Sequence, residues 1–144
     1  MARRDLLFHD EQLCMQRGVR LTPQRRRVLK IIMQSPQPLG AYDILQKMAP
    51  PAAPPTVYRA LDFLLQQGLI HRLATLQAYL VCDHPDASHQ GQFLICSECG
   101  HVEEMEDSNI QQSLDHAASQ AGFSCSNEVV EIMGRCGQCA GAGH

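Results

Sequence analysis

The chain has 144 residues, of which 44% are hydrophobic and 19% charged, so it is long enough for one domain or two small ones and too apolar for a disordered protein. It has no run of about 18 uncharged apolar residues and no secretory signal pattern, which predicts a cytoplasmic protein without a membrane span. The net charge of −3 conceals two halves of opposite sign. Residues 1–80 contain eleven Lys or Arg and five Asp or Glu, whereas residues 81–144 contain one and ten. This asymmetry predicts two modules with different partners.

The basic half has the element pattern of a winged helix-turn-helix domain. Thr22 followed by Pro23 is an N-cap with proline at the first helical position, and apolar residues then recur at helical spacing. A second amphipathic stripe runs from Thr56 to Gly68, after a proline-rich stop. We therefore predict helices over 5–17, from 23, over 41–48 and over 56–67, and a β-hairpin over 69–82 with its turn at 75–78.

The acidic half predicts a separate αβ domain. The polar residues 83–91 suit a hinge, which gives a winged-helix domain at 1–82 and a second domain at 92–144. We expect strands over 92–95, 101–105 and 128–133, a helix from Ser108 to Gly122, and a loose tail over 140–144. The helix should bury an apolar stripe made of Ile110, Leu114, Ala117, Ala118 and Ala121. A module of about 60 residues is small enough to need a staple or a partner.

Two knuckles of equal spacing, Cys96-x-x-Cys99 and Cys136-x-x-Cys139, predict a structural zinc site. The cysteine count of seven is odd, which argues against a disulfide framework in a reducing compartment. A redox role for one pair is the alternative, although a thioredoxin-like motif would not come duplicated. Four thiolates leave no open coordination position, so the metal would tie the fold together and perform no chemistry.

A second cluster of possible ligands lies around the hairpin. His71 and Cys82 flank its turn and are expected to be directly opposed, with His89 just beyond and an acidic run that includes Glu103 and Glu104. Together they would form a mixed site of sulfur, nitrogen and oxygen. The alternatives are that His71 is an ordinary strand histidine, that Cys82 is a buried small hydrophobic residue, and that the acidic run is the solvated N-terminus of a helix. We expect the remaining cysteines, Cys14 and Cys125, to be buried small hydrophobic residues.

Several motifs resemble the ferric-uptake-regulator family of metal-dependent repressors. They are the segment RLTPQR at 20–25, the segment PTVYRAL at 55–61, and the Cys-x-x-Cys-Gly knuckle with a terminal Cys-x-x-Cys. The segment AYD at 41–43, the longer PPTVYRALDFL at 54–64 and Cys82 are similar to the zinc-responsive branch of the family. The resemblance covers nearly the whole chain.

The resemblance implies an α+β protein with an N-terminal winged helix, a hinge and a C-terminal dimerisation domain. It implies a homodimer on double-stranded DNA with two zinc ions per chain, one structural on the four cysteines and one regulatory. The regulatory ligands carry over onto His71, Cys82, His89 and Glu104, with Glu103 as the alternative carboxylate. The thiolate of Cys82 favours Zn(II) over iron or manganese. The histidine-rich segment of the iron-sensing branch is missing here, so a third metal site is not expected.

The implied function is a zinc-dependent repressor of zinc uptake and homeostasis genes. We expect Tyr58 and Arg59 on the recognition helix to contact the groove of DNA, with Thr56 on the same helix. We expect the phosphate contacts to come from Arg25, Arg26 and Tyr42. A plain solvated basic face is the alternative for the arginines. Alternative functions are a family member that senses iron, manganese, nickel or peroxide and, more remotely, a zinc enzyme. We expect no enzyme and no small-molecule substrate, because four protein ligands would saturate the metal.

Overall fold

A computed structural model describes residues 3–83, 85, 91–125 and 128–142. The chain divides into two compact units, Met1–Ala87 and Ser88–His144, which we call the first and second unit. Both contain helices and strands, so the predicted α+β class is confirmed. Most of the predicted hinge, residues 84 and 86–90, lies outside the described residues. No helix in the described part of the chain is long and apolar enough to cross a membrane.

The first unit is a helical bundle followed by a hairpin, as predicted. The Thr22 hydroxyl accepts a hydrogen bond from the Arg25 amide at 3.4 Å and so caps the second helix. The fourth helix begins at Pro54, two residues before the predicted start. Proline is tolerated there because the backbone N–H that it lacks would have no intrahelical acceptor in the first turn. The elements are α1 (Arg3–Gln16), α2 (Pro23–Gln34), α3 (Ala41–Lys47), α4 (Pro54–Gln66), β1 (Ile70–Leu73) and β2 (Ala78–Val81).

The core of the first unit lies between α2 and α4. The α2 helix buries the apolar stripe that its sequence predicts, and α3 contributes Ile44. The α4 helix buries its predicted stripe except for Leu65, which is half-buried, and also buries Phe63. The segment before α3 also reaches the hairpin, since Leu39 and Tyr79 exchange backbone hydrogen bonds of 3.0 and 2.7 Å. The exposed face of α4 is thereby held on a rigid scaffold.

The predicted register of the hairpin is wrong by two residues. His71 pairs with Leu80 and Leu73 with Ala78, so the turn is formed by residues 74–77. Gln77 closes it with a φ of 49°, a left-handed conformation that glycine and asparagine usually supply. A shift of two residues keeps each side chain on the same face of the strand. His71 and Cys82 are therefore diagonal neighbours on one face and not directly opposed.

The second unit is a three-stranded sheet with two helices. Its elements are β3 (Gly91–Cys96), β4 (Val102–Glu104), α5 (Ser108–Gln120), β5 (Val129–Gly134) and α6 (Gly137–Ala142). The central strand β3 pairs antiparallel with β4 and parallel with β5. The buried side chain of Gln92 fixes the start of α5, because it accepts from the Asp107 amide and donates to the Asp107 carbonyl, both at 3.1 Å.

Two predictions for the second unit are wrong. No residue of α5, all of which the structure describes, is buried; Leu114 on its predicted buried stripe is 40% exposed. Residues 140–142 of the expected loose tail instead belong to α6, which begins inside the second cysteine knuckle, and residues 143–144 lie outside the described residues. The apolar stripe is present on the α5 helix, but the described residues of the second unit leave it uncovered.

Candidate metal centre and nucleic-acid interface

The sheet of the second unit brings the two cysteine knuckles together. Because β3 and β5 run parallel and Cys96 pairs with Gly134, both strands end at the same edge, where each knuckle begins. The first knuckle turns at Gly100, whose φ of 76° favours a residue without a side chain. The Ser97 amide donates to the Gly134 carbonyl at 2.8 Å and fixes the first knuckle beside the second.

The four sulfurs have the spacing of a tetrahedral zinc site. The Sγ atoms of the four cysteines all lie within 4.8 Å of one another, and those of Cys99 and Cys136 are 3.7 Å apart. Zinc–sulfur bonds of about 2.3 Å in a tetrahedron require sulfur–sulfur edges of about 3.8 Å. The Cys136 amide donates to Cys96 Sγ at 3.3 Å, and the Cys139 amide donates to Cys136 Sγ at 3.5 Å. Both the donor set and its geometry therefore fit zinc.

The electrostatics of this cluster favour a bound cation. The backbone amides of Cys99 and Cys136 lower the pKa of the Cys96 thiol to about 6, which favours the thiolate that metals require. The pKa of the Cys139 thiol is raised instead, by Cys136 first and then by Cys96 and Cys99. Four crowded thiols cannot all ionise without a positive charge among them, and a divalent cation supplies that charge.

Arg135 is a supporting residue that the sequence motifs do not predict. Its Nε forms a 2.8 Å ion pair with Glu98 Oε1 inside the first knuckle, and its Nη2 donates to the Cys139 carbonyl at 2.9 Å. The guanidinium thus joins the two knuckles on the outside of the sulfur cluster. A signal was present in the sequence: Arg135 is the one Lys or Arg of residues 81–144, and it is adjacent to Cys136.

The hairpin of β1 and β2, which we call the wing, carries the predicted metal ligand His71 and is followed directly by the predicted ligand Cys82. Cys82 is fully buried, His71 is half-buried, and a ring nitrogen of His71 lies within 4.8 Å of Cys82 Sγ. The Cys82 amide donates to the Leu69 carbonyl at 2.9 Å, which holds the thiol at the base of the hairpin. Two ligands of one metal can therefore be supplied from this face of the wing.

The remaining predicted ligands are placed as follows. His89 lies outside the described residues. Glu103 and Glu104 are consecutive on β4 and so point to opposite faces of the strand. Glu103 is exposed and lines a shallow cavity of about 300 Å³ beside Cys96 and Cys136, whereas Glu104 is half-buried on the other face. The two carboxylates are thus not equivalent, and Glu103 belongs to the surface around the cysteine cluster.

The first unit presents an exposed polar and aromatic surface on α3 and α4. Tyr58 is 53% exposed and Tyr42 is 71% exposed, and Arg59 is exposed next to Tyr58. Thr56 is half-buried in the first turn of the same helix. An exposed face of a helix that is packed firmly on its other side can enter the major groove of DNA, where an arginine can form paired hydrogen bonds with guanine.

The predicted phosphate contacts of α2 are engaged within the unit. The Arg25 guanidinium stacks on the Phe63 ring of α4 at 3.7 Å and also donates to the Arg20 carbonyl at 2.7 Å. Arg26 forms a 2.6 Å ion pair with Glu11 of α1. Both side chains hold helices together in this structure.

The two unassigned cysteines differ. Cys14 is 1% exposed, as predicted, and its burial raises the pKa of its thiol. Cys125 was expected to be buried, and this prediction is wrong because its side chain is exposed. Its Sγ lies within 4.8 Å of carboxylate oxygens of Asp115 and Glu128. The side chain of Glu128, followed by burial and the Glu128 charge, raises the pKa of the Cys125 thiol.

Comparison with known proteins identifies the family. The model of the ferric uptake regulator family matches residues 16–133. The zinc uptake regulation protein of Escherichia coli K12 is 39% identical over 141 residues, which cover 94% of this chain and 81% of that protein. The chain belongs to the ferric uptake regulator family. The family match includes the wing ligands and the first knuckle but ends before Cys136 and Cys139, whose assignment rests on the geometry above.

Two solved structures of ferric uptake regulator family members share the fold. A zinc uptake regulator complexed with zinc and DNA superimposes with a TM-score of 0.93 at 37% identity, covering 99% of this chain and 98% of that one. The holo form of the regulator XcZur gives a TM-score of 0.91 at 39% identity, covering 97% and 99%. The fold of this chain is therefore that of a winged-helix regulator with a second αβ domain.

Proposed function

We propose that this chain is a zinc-dependent repressor that binds operator DNA as a homodimer and controls genes for zinc uptake. The observation that carries the proposal is the pair formed by His71 and Cys82 on one face of the wing, within 4.8 Å of each other. This pair occurs in a chain 39% identical to a protein named for zinc uptake regulation. The wing follows directly after α4, so the ligand pair is built into the DNA-binding unit itself.

Each chain would hold two zinc ions in different roles. The four cysteines of the second unit would hold the structural ion, which supplies folding free energy to a small domain. His71 and Cys82 would hold the regulatory ion together with His89 and Glu104, the residues that the family resemblance selects. Glu104 is preferred over Glu103 because Glu103 faces the cavity beside the cysteine cluster.

Cys82 supports zinc as the metal that is sensed. A buried thiolate is a soft ligand and favours Zn(II) over Fe(II) and Mn(II), which prefer nitrogen and oxygen donors. Zinc also has no redox chemistry in proteins, which suits a site that would control DNA binding only through whether zinc is bound. A complete set of protein ligands would leave no open position for a substrate, so we propose no enzymatic activity.

DNA would be bound by the first unit, which carries the excess of positive charge. Tyr58 and Arg59 on the exposed face of α4 are the proposed contacts to base edges, with Thr56 and Tyr42 beside them. A DNA partner also supports the cytoplasmic location predicted from the sequence. Arg25 would support α4 through its stacking on Phe63, and Arg26 would join α2 to α1 through Glu11, with any remaining donors available to phosphate.

The second unit offers a surface suited to a second copy of the chain. The strand β5 lies at one edge of the sheet and exposes Val129, Ile132 and Met133 by 50, 44 and 46%. Leu114 of α5 and Phe123 are also exposed, by 40 and 73%. An edge strand and a helix stripe that both expose apolar side chains are typical of a surface covered by a partner. A homodimer would also match two recognition helices to a palindromic site.

The proposal is tested by metal content and metal-dependent DNA binding in one preparation. We expect two zinc ions per chain, of which a mild chelator removes one. The DNA probe is a duplex selected by the zinc-loaded protein from random-sequence duplexes, used in a gel shift. Chelation should release this duplex, and Zn(II) should restore binding where Fe(II) and Mn(II), added without oxygen, do not. Restoration by iron or manganese alone would show that the sensed metal is a different one.

A further inference from the structure

The side chain of Arg17, at the end of α1, links two distant segments of the first unit. Its Nη1 donates to the Gln67 carbonyl at 2.6 Å and to Gln67 Oε1 at 3.3 Å. Its Nη2 donates to the Pro85 carbonyl at 3.2 Å. The guanidinium of Arg17, the residue that follows α1, therefore joins two residues that are 18 positions apart in sequence.

The two acceptors flank the proposed zinc ligands of the wing. Gln67 caps the C-terminal end of α4, and Gly68 follows it with a φ of 70° to begin the hairpin. Pro85 comes three residues after Cys82, whose amide is bonded to the Leu69 carbonyl at 2.9 Å. Arg17 thus extends the base of the hairpin beyond its last backbone bond and joins its entry to its exit.

Arginine suits this position for two physical reasons. The carbonyls at the end of a helix have no intrahelical donor, and the helix dipole favours a cation there. The planar guanidinium has five donors in a fixed fork, so it can bond to two carbonyls at once. A lysine has the same charge but only a compact ammonium group, which cannot reproduce both bonds in this geometry.

We propose that Arg17 is a positioning residue that couples the segment of Cys82 to the recognition helix α4. This inference rests on the proposed function, since it assumes that Cys82 holds the regulatory zinc. When zinc binds to Cys82, the segment that leaves the hairpin is fixed in position. Arg17, which is hydrogen-bonded to both Pro85 and Gln67, then restricts the motion of Gln67 and so of the C-terminal end of α4. A purely structural role would instead stabilise the unit equally with and without zinc.

The test compares Arg17→Lys with the unsubstituted protein and with Arg20→Lys, which makes the same chemical change at a nearby exposed position. For each protein, the affinity for the selected duplex is measured by fluorescence anisotropy with two zinc ions per chain and after removal of the labile one. Zinc content and hydrogen exchange of the amides of residues 66–69 are measured in both states. The net charge stays the same in both variants, so non-specific attraction to phosphate is preserved.

In Arg17→Lys we expect the zinc-loaded affinity to fall about tenfold, the scale of one charge-assisted hydrogen bond, with the zinc-free affinity and zinc content unchanged. Zinc should slow exchange at residues 66–69 in the unsubstituted protein and in Arg20→Lys but not in Arg17→Lys. An equal loss of affinity in both states, or a normal zinc response in Arg17→Lys, would overturn this inference alone. Zinc-independent DNA binding by the unsubstituted protein would overturn the proposed function as well.

Discussion

The guanidinium of Arg25 lies 3.7 Å above the centroid of the Phe63 ring, so α2 and α4 are joined by a cation–π contact as well as by their apolar core. Phe63 is 8% exposed and lies one turn after Arg59 on the same helix. The contact therefore holds α2 against the helix that is proposed to read DNA. It also gives Arg25 a role other than the phosphate contact that the sequence predicts.

Arg25→Gln should destabilise the first unit by about 1 kcal/mol, since the cation–π contact with Phe63 and the hydrogen bond to the Arg20 carbonyl are both lost. Arg26→Gln is the matched control, because it removes the same charge but breaks only an exposed ion pair with Glu11, for which we expect less than about 0.5 kcal/mol. Urea unfolding followed by circular dichroism measures both values. A loss in Arg25→Gln no greater than that in Arg26→Gln would show that the stacking on Phe63 does not contribute to the stability of the unit.

Arg59→Lys should weaken binding to the selected duplex about tenfold, because lysine keeps the charge but loses the paired hydrogen bonds to a base edge. Binding to a scrambled duplex should change little, since that affinity depends on charge. Arg72→Lys, at an exposed position of the wing, is the control and should bind both duplexes normally. Unchanged discrimination in Arg59→Lys would exclude Arg59 from base readout.

Cys96→Ser should lower the zinc content by one ion per chain and unfold the second unit. Structural zinc sites contribute on the order of 10 kcal/mol of apparent binding free energy, more than a domain of this size can spare. Cys125→Ser should retain both ions, since Cys125 is exposed and lies apart from the four-cysteine cluster. Elemental analysis and hydrogen exchange provide the measurements. Full zinc content in a folded Cys96→Ser protein would contradict the assignment.

Ile132→Glu should convert the dimer to a monomer, because it places a charge in the apolar surface of β5 that is proposed to be covered. Leu76→Glu is the control: Leu76 is similarly exposed, at 40%, but lies in the hairpin turn of the first unit. Sedimentation velocity distinguishes the two states. A dimer that persists in Ile132→Glu would place the interface elsewhere.

Much of the fold could be predicted because the signals are local. Thr22 with Pro23, the glycine after α4 and the cysteine knuckles each define an element end or a turn through short-range chemistry. The hairpin register could not be predicted, because Gln77 adopts a left-handed conformation and glutamine is not a residue type that indicates such a turn position. Periodicity also predicted the apolar stripe of α5 but not its exposure, because periodicity shows which residues share a face and not what packs against that face.

The candidate site divides in the same way. Equal spacing was enough to predict the convergence of Cys96, Cys99, Cys136 and Cys139, because two residues between ligands is a local constraint. The support from Arg135 and the link made by Arg17 depend on contacts between distant segments, which no spacing rule reveals. Likewise, Arg25 and Arg26 share a basic face in sequence, and only packing shows that they hold helices together.

The most direct test of the account is the ratio of DNA affinities, for one selected duplex at one salt concentration, between protein with two zinc ions per chain and protein with one. We predict tighter binding by the two-zinc form, by roughly 5- to 150-fold, the usual range for coupling between two sites. Cys82→Ala should abolish the difference. Cys14→Ala, at an equally buried cysteine of the same unit, should keep it. Equal affinity of the two zinc forms of the unsubstituted protein would contradict the account.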